Sequence, residues 1–373
     1  MNPGFSKVRL PISVPYIAHN EKAYVAKCME TGWISSQGDF VKQFEHDFAK
    51  FTGAKFAVSV SNGTAALHLT LIALGIRPGD EVIVPNMTFA ATANAVIHCG
   101  ATPVLCDVDK NTWTLDCQQA EALITAKTKA IIPVHLFGVP ADMTSLMNLA
   151  AKYQLKIVED CAQAIGAKVN SDTVGTIGHA GCFSFFANKT MTTGEGGMVT
   201  TNDESLFQKL LCYRDHGMRK ERRYWHEVPG LNYRLTNLQA AIGVAQLEQI
   251  THLIETRKNI AQAYRKGLDD VAGVLSATPL NGTSSVTWLS SFRFNPEYFK
   301  WDIDTIVAML GRQGIETRRF FPVLNIQPPY LNQHRHFKVS DRLAQEGLCL
   351  PTWVGLREQD ITEVVEQIKD CLC

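Results

Sequence analysis

The chain has 373 residues, of which 46% are hydrophobic and 19% charged, and its 36 acidic residues balance its 36 basic ones. This length is sufficient for two domains, and the zero net charge argues against nucleic acid or an anionic membrane as a partner. No apolar stretch reaches the length of a transmembrane helix. The ten cysteines form no CxxC pair and no zinc-ligand spacing with histidine, which predicts free thiols in a reducing cytoplasm and no metal site.

The first part of the chain predicts an extended segment followed by a helix. Pro11 and Pro15 disfavour a helix over residues 1–20, and residues 21–31 have helical spacing that stops at Gly32. The loop after Gly32 carries Trp33 and Ser35. These side chains could line a polar ligand site, and simple packing of the loop is an equal alternative.

From about residue 56 the pattern alternates strands with helices, which is typical of an α/β domain. The strand at 56–60 leads through Asn62-Gly63-Thr64 directly into a helix. Because the first N–H groups of a helix lack internal partners, this turn could hold a phosphate. A plain helix cap by Asn62 or Thr64 is the alternative.

Asp160 and Lys189 are the candidates for chemistry. Asp160 ends the strand at 156–160, and ligands gather at the carboxyl ends of strands in such folds, although a helix-capping role competes. Lys189 follows the apolar run 183–186 and precedes the turn Gly-Glu-Gly-Gly at 194–197. Small uncharged neighbours desolvate an amine and lower its pKa, as a Schiff-base lysine requires. A surface lysine at a hairpin end is the alternative.

The second half of the chain contains one dense basic cluster and one long amphipathic helix. The basic cluster at 214–223 is either a solvated loop or a socket for an anionic substrate. The apolar residues after Asn237 predict a long helix that leads into a second domain. The predicted division is therefore a large domain at 1–257 and a smaller one at 258–373, and segment 1–20 could pack on the smaller domain.

Five motifs in chain order resemble those of the pyridoxal-phosphate (PLP) sugar aminotransferases of the DegT group, and the similarity runs from about Pro11 to Leu350. The resemblance implies an α/β, fold-type-I (aspartate aminotransferase-like) enzyme: a mostly parallel seven-stranded sheet plus a smaller C-terminal α/β domain. It also implies a homodimer with shared active sites. The motifs are Gly32-Trp-Ile-Ser-Ser36, Asn62-Gly-Thr64, Val158-Glu-Asp-Cys-Ala-Gln163, Ser184-Phe-Phe-x-x-Lys189 with its glycine turn, and Gly230-x-Asn-x-Arg234.

The resemblance also implies roles for individual residues. Lys189 would form the Schiff base with the cofactor, and Asp160 would pair with the pyridine nitrogen. Phe89 would stack on the ring, and Gln163 would bond its O3′ atom. The phosphate would be held by Gly63, Thr64, Ala65, Ser184 and Asn232 of the partner subunit. The substrate would be bound by Trp33, Ser35, His216, Tyr224, His226, Arg234, Arg318, Arg319 and Asn325.

The substrate implied by the resemblance is a keto- or aldehydo-sugar that receives an amino group from L-glutamate, for cell-surface polysaccharides such as the lipopolysaccharide O-antigen. Residues 223–226, 230–234 and 314–318 favour the GDP-perosamine synthase branch, which aminates GDP-4-keto-6-deoxymannose. Where that branch typically has Arg-Pro-x-x-x-Pro-x-His, this chain has Arg-Arg-Phe-Phe-Pro-Val-Leu-Asn at 318–325. The extra Arg319 suits a carboxylate or phosphate. A free sugar acid, such as the 8-aldehyde of 3-deoxy-octulosonate, is therefore a second candidate, and surface solvation of Arg319 is an alternative to both.

Two further hypotheses come from different functional classes. The first is a sugar dehydratase of the same fold, but those relatives have histidine where this chain has Lys189. The second is a non-enzymatic regulatory protein that retains the fold, which would not take up the cofactor. His135 ends an apolar strand and is expected to be structural.

Overall fold

The computed structural model describes residues 8–218, 222, 224–331 and 336–372. The α-helices of the described residues are α1 Glu21–Thr31, α2 Asp39–Thr52, α3 Gly63–Ala73, α4 Ala91–His98, α5 Cys117–Ala122, α6 Met143–Tyr153, α7 Glu204–Arg214, α8 Asn237–Glu248, α9 Ile250–Leu268, α10 Ile303–Arg312, α11 Lys338–Glu346 and α12 Glu358–Lys369. The strands are β1 Phe56–Val60, β2 Glu81–Pro85, β3 Thr102–Cys106, β4 Thr128–Ile131, β5 Lys156–Asp160, β6 Lys168–Val169, β7 Asp172–Thr173, β8 Ala180–Ser184, β9 Gly197–Thr201, β10 Val274–Leu275, β11 Thr283–Ser284, β12 Ser290–Phe294, β13 Arg318–Arg319 and β14 Gly347–Leu350. Short 3₁₀ turns lie at 136–138, 296–298, 324–326 and 328–330.

Seven strands form the central sheet in the order β1-β9-β8-β5-β4-β2-β3. Strand β9 is antiparallel to both of its neighbours, and the other adjacent pairs are parallel. The mostly parallel seven-stranded sheet implied by the resemblance is confirmed. Because the carboxyl ends of parallel strands share one edge, the turns after β1, β2, β5 and β8 are brought together there.

The sheet requires close backbone contact where β8 meets the turn before it. A Cβ atom at Gly181 of β8 would overlap the Cα and carbonyl oxygen of Gly175. A Cβ at Gly197 of β9 would lie 2.6 Å from the carbonyl carbon of Asn62. Glycine is therefore required at both positions for steric reasons, and Gly197 holds the returning strand against the Asn62 turn.

The C-terminal residues form a second layer around an antiparallel sheet in the order β10-β12-β14-β13. Helices α9, α10 and α12 bury a separate apolar core against it, including Tyr264, Phe292 and Leu348. Leu10 belongs to the same core and forms a bridge with Ile315. The predicted boundary after residue 257 falls inside α9, so the division of the chain into two domains stays a prediction.

Several predicted elements differ from the observed ones. The long helix expected after Asn237 is two helices, α8 and α9, which are separated at Gln249 (φ −113°, ψ 13°). Helix α2 was not predicted, although Val41, Phe44 and Phe48 bury one helical face. The nine described cysteines form no disulfide bond with one another. None of the helices in the described ranges combines the length and the low polarity that a membrane crossing requires.

We expect Gly181→Ala to destabilise the fold, because the new Cβ meets backbone that cannot move aside. The free energy of unfolding should fall by about 2–3 kcal/mol, as measured by denaturant unfolding. The control is Gly311→Ala in α10, where a Cβ would meet nothing within 4 Å and helix propensity favours alanine by about 1 kcal/mol. If Gly181→Ala had the same free energy of unfolding as the wild type, the prediction would be wrong.

Candidate active site

The carboxyl edge of the central sheet opens into a cavity of about 690 Å³. The sheet and its turns form one wall, and residues of the C-terminal layer form the other. Among the lining residues are Asn62, Gly63, Thr64, Ala65, Thr88, Phe89, Asp160, Gln163, Ser184, Phe186, Lys189, Tyr233, Trp288, Arg318 and Phe321. Of the residues predicted to bind the cofactor, the structure brings all but Asn232 to this cavity.

Lys189 lies in the turn that follows β8. Its backbone N–H donates to the carbonyl of Phe186 at 2.9 Å, and its amine lies inside the cavity, 4.2 Å from the centre of the Trp288 ring. Burial lowers the pKa of the amine to about 8, and Arg318 acts in the same direction while Asp160 opposes it. Near physiological pH the amine is therefore still mostly protonated, but a far larger fraction of it is neutral than for an exposed lysine.

Asp160 also lines the cavity, at the end of β5. One carboxylate oxygen accepts a hydrogen bond from the Thr92 hydroxyl at 2.9 Å, and the other accepts from the backbone N–H of Ala162 at 3.1 Å. Burial raises the pKa of this carboxyl, and the two hydrogen bonds and Lys189 oppose the shift. A carboxylate fixed in this way can pair with a cationic group of a bound ligand.

Helix α3 begins at the cavity and offers its N-terminus to an anion. The N–H groups of Gly63 and Thr64 lie in the first turn and have no partner inside the helix. The N–H of Ala65 donates to the side chain of Asn62 at 2.8 Å, so the predicted helix cap is present and occupies that amide. A Cβ at Gly63 would lie 2.8 Å from the Cβ of Ser184, which keeps the turn and the Ser184 hydroxyl close together.

Phe89 and Gln163 complete this wall. Phe89 is 59% exposed at the cavity, so its ring is available to a ligand. Gln163 is buried, and its Oε1 accepts from the backbone N–H of Phe137 at 2.8 Å. The amide is thereby oriented and its NH₂ group is left as a donor. A desolvated amine, a buried carboxylate, a helix N-terminus, an aromatic ring and an oriented amide fit the groups of PLP.

Most of the predicted substrate residues do not line the cavity of their own chain. Trp33 and Tyr224 are exposed on the surface, and the Ser35 carbonyl accepts from the Asn237 N–H at 2.9 Å. Three more of them, His216, His226 and Arg234, belong to one surface group that is held together by hydrogen bonds and by an ion pair between Arg234 and Asp215. The members of this group are Asp215, His216, His226, Asn232 and Arg234.

The basic cluster at 214–223 is only partly described. Residues 219–221 and 223 lie outside the described residues. Arg214 forms an ion pair with Glu45 at 2.5 Å, so its charge serves the fold. Arg222 lies 4.0 Å from the centre of the Trp225 ring.

Arg318 and Arg319 face opposite sides of β13, as neighbours on a strand must. Arg318 lines the cavity. Arg319 forms an ion pair with Asp304 and donates to the carbonyls of Ala344 and Gln345. Within this chain Arg319 therefore caps the end of α11 and does not line the cavity, and its role in substrate binding stays a prediction.

Asn325 also lies away from the cavity. Its Oδ1 accepts from the Nδ2 of Asn86 at 2.9 Å, and its backbone N–H donates to the Oδ1 of Asn86 at 3.0 Å. This pair joins the turn after β2 to the segment 324–326. The expectation that Asn325 contacts the sugar is likewise not supported within one chain.

Sequence reasoning missed Tyr233, Trp288 and Phe321, which line the cavity. It also missed Thr92, a buried residue whose hydroxyl donates to Asp160. Trp288 and Phe321 come from segments 99 and 132 residues beyond Lys189. No local motif marked Trp288, and only long-range folding brings it to Lys189.

A second buried polar cluster lies behind the cavity. His135, Glu159 and Cys161 offer ligand atoms that all lie within 4.8 Å of one another. The Nδ1 of His135 accepts from the backbone N–H of Ala141, so its Nε2 carries the proton and donates to Glu159 at 3.1 Å. Glu159 also accepts from three backbone N–H groups, at Gly175, Ile177 and Gly178. The hydrogen bonds occupy these donors and acceptors, which supports the structural role expected for His135.

A mostly parallel α/β fold with a desolvated lysine, a buried carboxylate and a helix N-terminus at one cavity defines a PLP-dependent transferase. Residues 15–369 match the model of the DegT/DnrJ/EryC1/StrS aminotransferase family. The chain belongs to this family, and it is a PLP-dependent sugar aminotransferase.

The relatives agree with this assignment. The chain is 43% identical to a GDP-perosamine synthase of Caulobacter vibrioides over 98% of both chains. It is 40% identical to a GDP-perosamine synthase of Escherichia coli O157:H7 over 97% of this chain and 98% of that one. Among solved structures, DesV of S. venezuelae in complex with a ketimine intermediate is similar with a TM-score of 0.88 and 33% identity, over 94% of each chain.

We expect Glu159→Gln to destabilise the protein. We also expect removal of metal ions to leave the stability of the wild type unchanged. A glutamine turns one acceptor oxygen into a donor that faces backbone N–H groups, so the free energy of unfolding should fall by about 2–4 kcal/mol. The exposed Glu366→Gln is the control, with a change below about 0.5 kcal/mol. Dialysis against EDTA should leave the melting temperature of the wild type unchanged. If EDTA lowered the melting temperature and added zinc raised it again, the cluster would be a metal site.

Proposed function

We propose that this chain transfers the amino group of L-glutamate to the keto carbon of a nucleotide sugar that resembles GDP-4-keto-6-deoxymannose. The observation that carries the proposal is that Lys189, Asp160 and the start of α3 face one cavity. The nucleotide and the sugar are inferred from the two relatives named GDP-perosamine synthase. The product would serve a cell-surface polysaccharide of the O-antigen type.

Each residue of the cavity has a proposed task. Bound PLP supplies an electron sink for the carbon that loses its proton. Lys189, with a pKa of about 8, takes that proton in its neutral form and returns it to the other carbon. Asp160 holds the proton on the pyridine nitrogen, because a buried carboxylate favours a cationic partner.

Other residues would hold the cofactor in place. The N–H groups of Gly63 and Thr64 would bind the phosphate at the start of α3, and the hydroxyl of Ser184 would add a hydrogen bond. Phe89 would stack on the ring, and the NH₂ group of Gln163 would donate to its O3′ oxygen. Together these contacts would retain the cofactor while its bond to Lys189 is broken and remade.

Arg318 is the residue proposed to bind the anionic end of a substrate. Its side chain lines the cavity and forms no ion pair among the described residues. L-Glutamate, a nucleotide diphosphate and a sugar acid all carry a suitable anion. The extra Arg319 favoured a sugar acid, but its side chain faces away from the cavity, so that argument no longer applies. The aromatic side chains of Phe89, Phe186 and Phe321 line the cavity and suit the apolar methyl group of a 6-deoxy sugar.

The exposed surface group around Arg234 is proposed to act in the neighbouring active site of a homodimer. Asn232 would reach the phosphate bound by the partner subunit, as the resemblance implies. Within the single chain, Tyr233 lines the cavity while its neighbours Asn232 and Arg234 face outward. Trp33, Ser35, Tyr224 and the two histidines of this group would contribute to the partner's substrate site.

We expect Lys189→Ala to lose the visible absorbance of the cofactor-loaded enzyme and to lower the transamination rate by about 10³-fold or more, because one residue supplies the covalent link and the proton transfers. The exposed Lys110→Ala should match the wild type in both measurements. Full activity of Lys189→Ala would refute the assignment.

We expect Arg318→Gln to raise KM for its anionic substrate by about 10–100-fold, the value of a charge-assisted hydrogen bond. Measuring the two half-reactions separately, with L-glutamate and with the sugar, would show which substrate it binds. The pKa of Lys189 should also rise, because Arg318 lowers it in the wild type. Arg319→Gln, on the opposite face, should leave both KM values unchanged. Equal KM values in all three proteins would remove Arg318 from the binding site.

The substrate itself can be identified from the reverse half-reaction. The enzyme loaded with PLP would be mixed with GDP-linked 4-amino-4,6-dideoxymannose or with a free 8-amino sugar acid, and the change in visible absorbance recorded. A response to the GDP-sugar alone supports the proposal, and a response to the sugar acid alone overturns it. Release of ammonia in place of glutamate-dependent amination would indicate a dehydratase.

A further inference from the structure

Trp288 presents the face of its indole ring to Lys189. The amine of Lys189 lies 4.2 Å from the ring centre, within the range of a cation–π interaction. Within the described residues, the same amine has no hydrogen bond and no ion pair. Trp288 is 2% exposed, so water does not compete for this contact from the far side of the ring.

The ring is held rigidly in this position. Its Nε1–H donates to the carbonyl of Asn188 at 2.9 Å, the residue directly before the lysine. Its backbone carbonyl accepts from the guanidinium of Arg257 at 2.6 Å, and the same guanidinium donates to the carbonyl of Lys189 at 3.3 Å. The indole is also nearly parallel to the ring of Phe321, with an angle of 12° between the planes. Ring and lysine backbone are thus fixed relative to each other.

Several charged or titratable groups surround the amine from the packed elements. Asp160 of β5 favours the charged amine, and burial together with Arg318 of β13 disfavours it. Arg257 of α9 adds a second buried cation behind the lysine carbonyl. The other titratable groups that line the cavity are Glu195, His68, His98, Tyr233 and Cys182. The indole face therefore favours the protonated amine, whereas burial and the nearby positive charge favour the neutral one.

We propose that Trp288 is a positioning residue for transamination, whose indole face receives the Lys189 ammonium whenever the lysine is not covalently bound. The lysine takes a proton from one carbon and returns it to another, and between these transfers it must keep that proton and stay in reach. A π face stabilises the cation without a carboxylate that would hold it too firmly or take its proton. The proposal rests on the role proposed for Lys189.

The test is a titration of the Lys189 amine in the full-length protein after removal of the cofactor. Brief acetylation over a pH series, followed by mass spectrometry of the peptide that contains Lys189, gives the midpoint of its reactivity. We expect a midpoint near pH 8 in the wild type. Trp288→Leu, which keeps an apolar wall but has no π face, should lower the midpoint by about one pH unit.

Two further variants separate the ring face from other roles of the tryptophan. Trp288→Phe keeps a π face and loses the hydrogen bond to Asn188, so its midpoint should stay close to that of the wild type. Phe137→Leu removes a ring whose centre is 6.4 Å from the indole centre and should also leave the midpoint unchanged. Trp288→Met is a second apolar variant without a π face, and we expect its midpoint to fall as far as that of Trp288→Leu. In the glutamate half-reaction, Trp288→Leu should lower kcat by about fivefold with little change in KM.

The outcomes are distinct. If Trp288 only excluded water, its replacement would admit water and raise the midpoint, which would overturn the proposal. An unchanged midpoint in Trp288→Leu, or an equal fall in Trp288→Phe, would overturn it as well. The role of Lys189 is tested separately in the wild type: added PLP should protect this residue from acetylation. If PLP did not protect Lys189, the proposed function would be refuted, whatever acetylation midpoints the Trp288 variants gave.

Discussion

Desolvation of one amine is the constraint on which the rest of the site depends. Lys189 carries its amine into a cavity where burial lowers the pKa to about 8, because removal from water disfavours the charged form of an amine. Asp160 lines the same cavity and opposes the shift. The fold therefore has to bring one buried acid, one buried amine and two arginines together without pairing them directly.

Both layers of the molecule contribute to this arrangement. The central sheet supplies Asp160, Lys189 and the start of α3, and the C-terminal layer supplies Trp288 and Arg318. Arg257 connects the two, because its guanidinium donates to the carbonyls of Trp288, Thr352 and Lys189. Because the site is built from both layers, substitutions about 100 residues or more away from Lys189 in sequence, at Trp288 or Arg318, can alter it.

The central sheet and its polar edge could be predicted because their signals are local. The strand at 156–160 was predicted with its observed bounds, and Asp160 ends it. The turn at Asn62 was recognised as either a phosphate cradle or a cap. The structure has the cap, and the phosphate cradle stays a prediction. Helix α2 was overlooked although its apolar spacing is clear, and the break at Gln249 followed from packing that periodicity does not reveal.

The sequence by itself determined the alternation of strands and helices, the lysine in an uncharged stretch, and the acid at a strand end, because each depends on residues a few positions apart. Only the tertiary structure decided which side chains from residues 288–325 reach the cavity. Arg318 and Arg319 are adjacent and chemically identical, yet the pairing of β13 with β14 turns one toward Lys189 and the other toward the end of α11. The direction of a side chain on a strand is set by register with a distant partner, and local sequence does not contain that information.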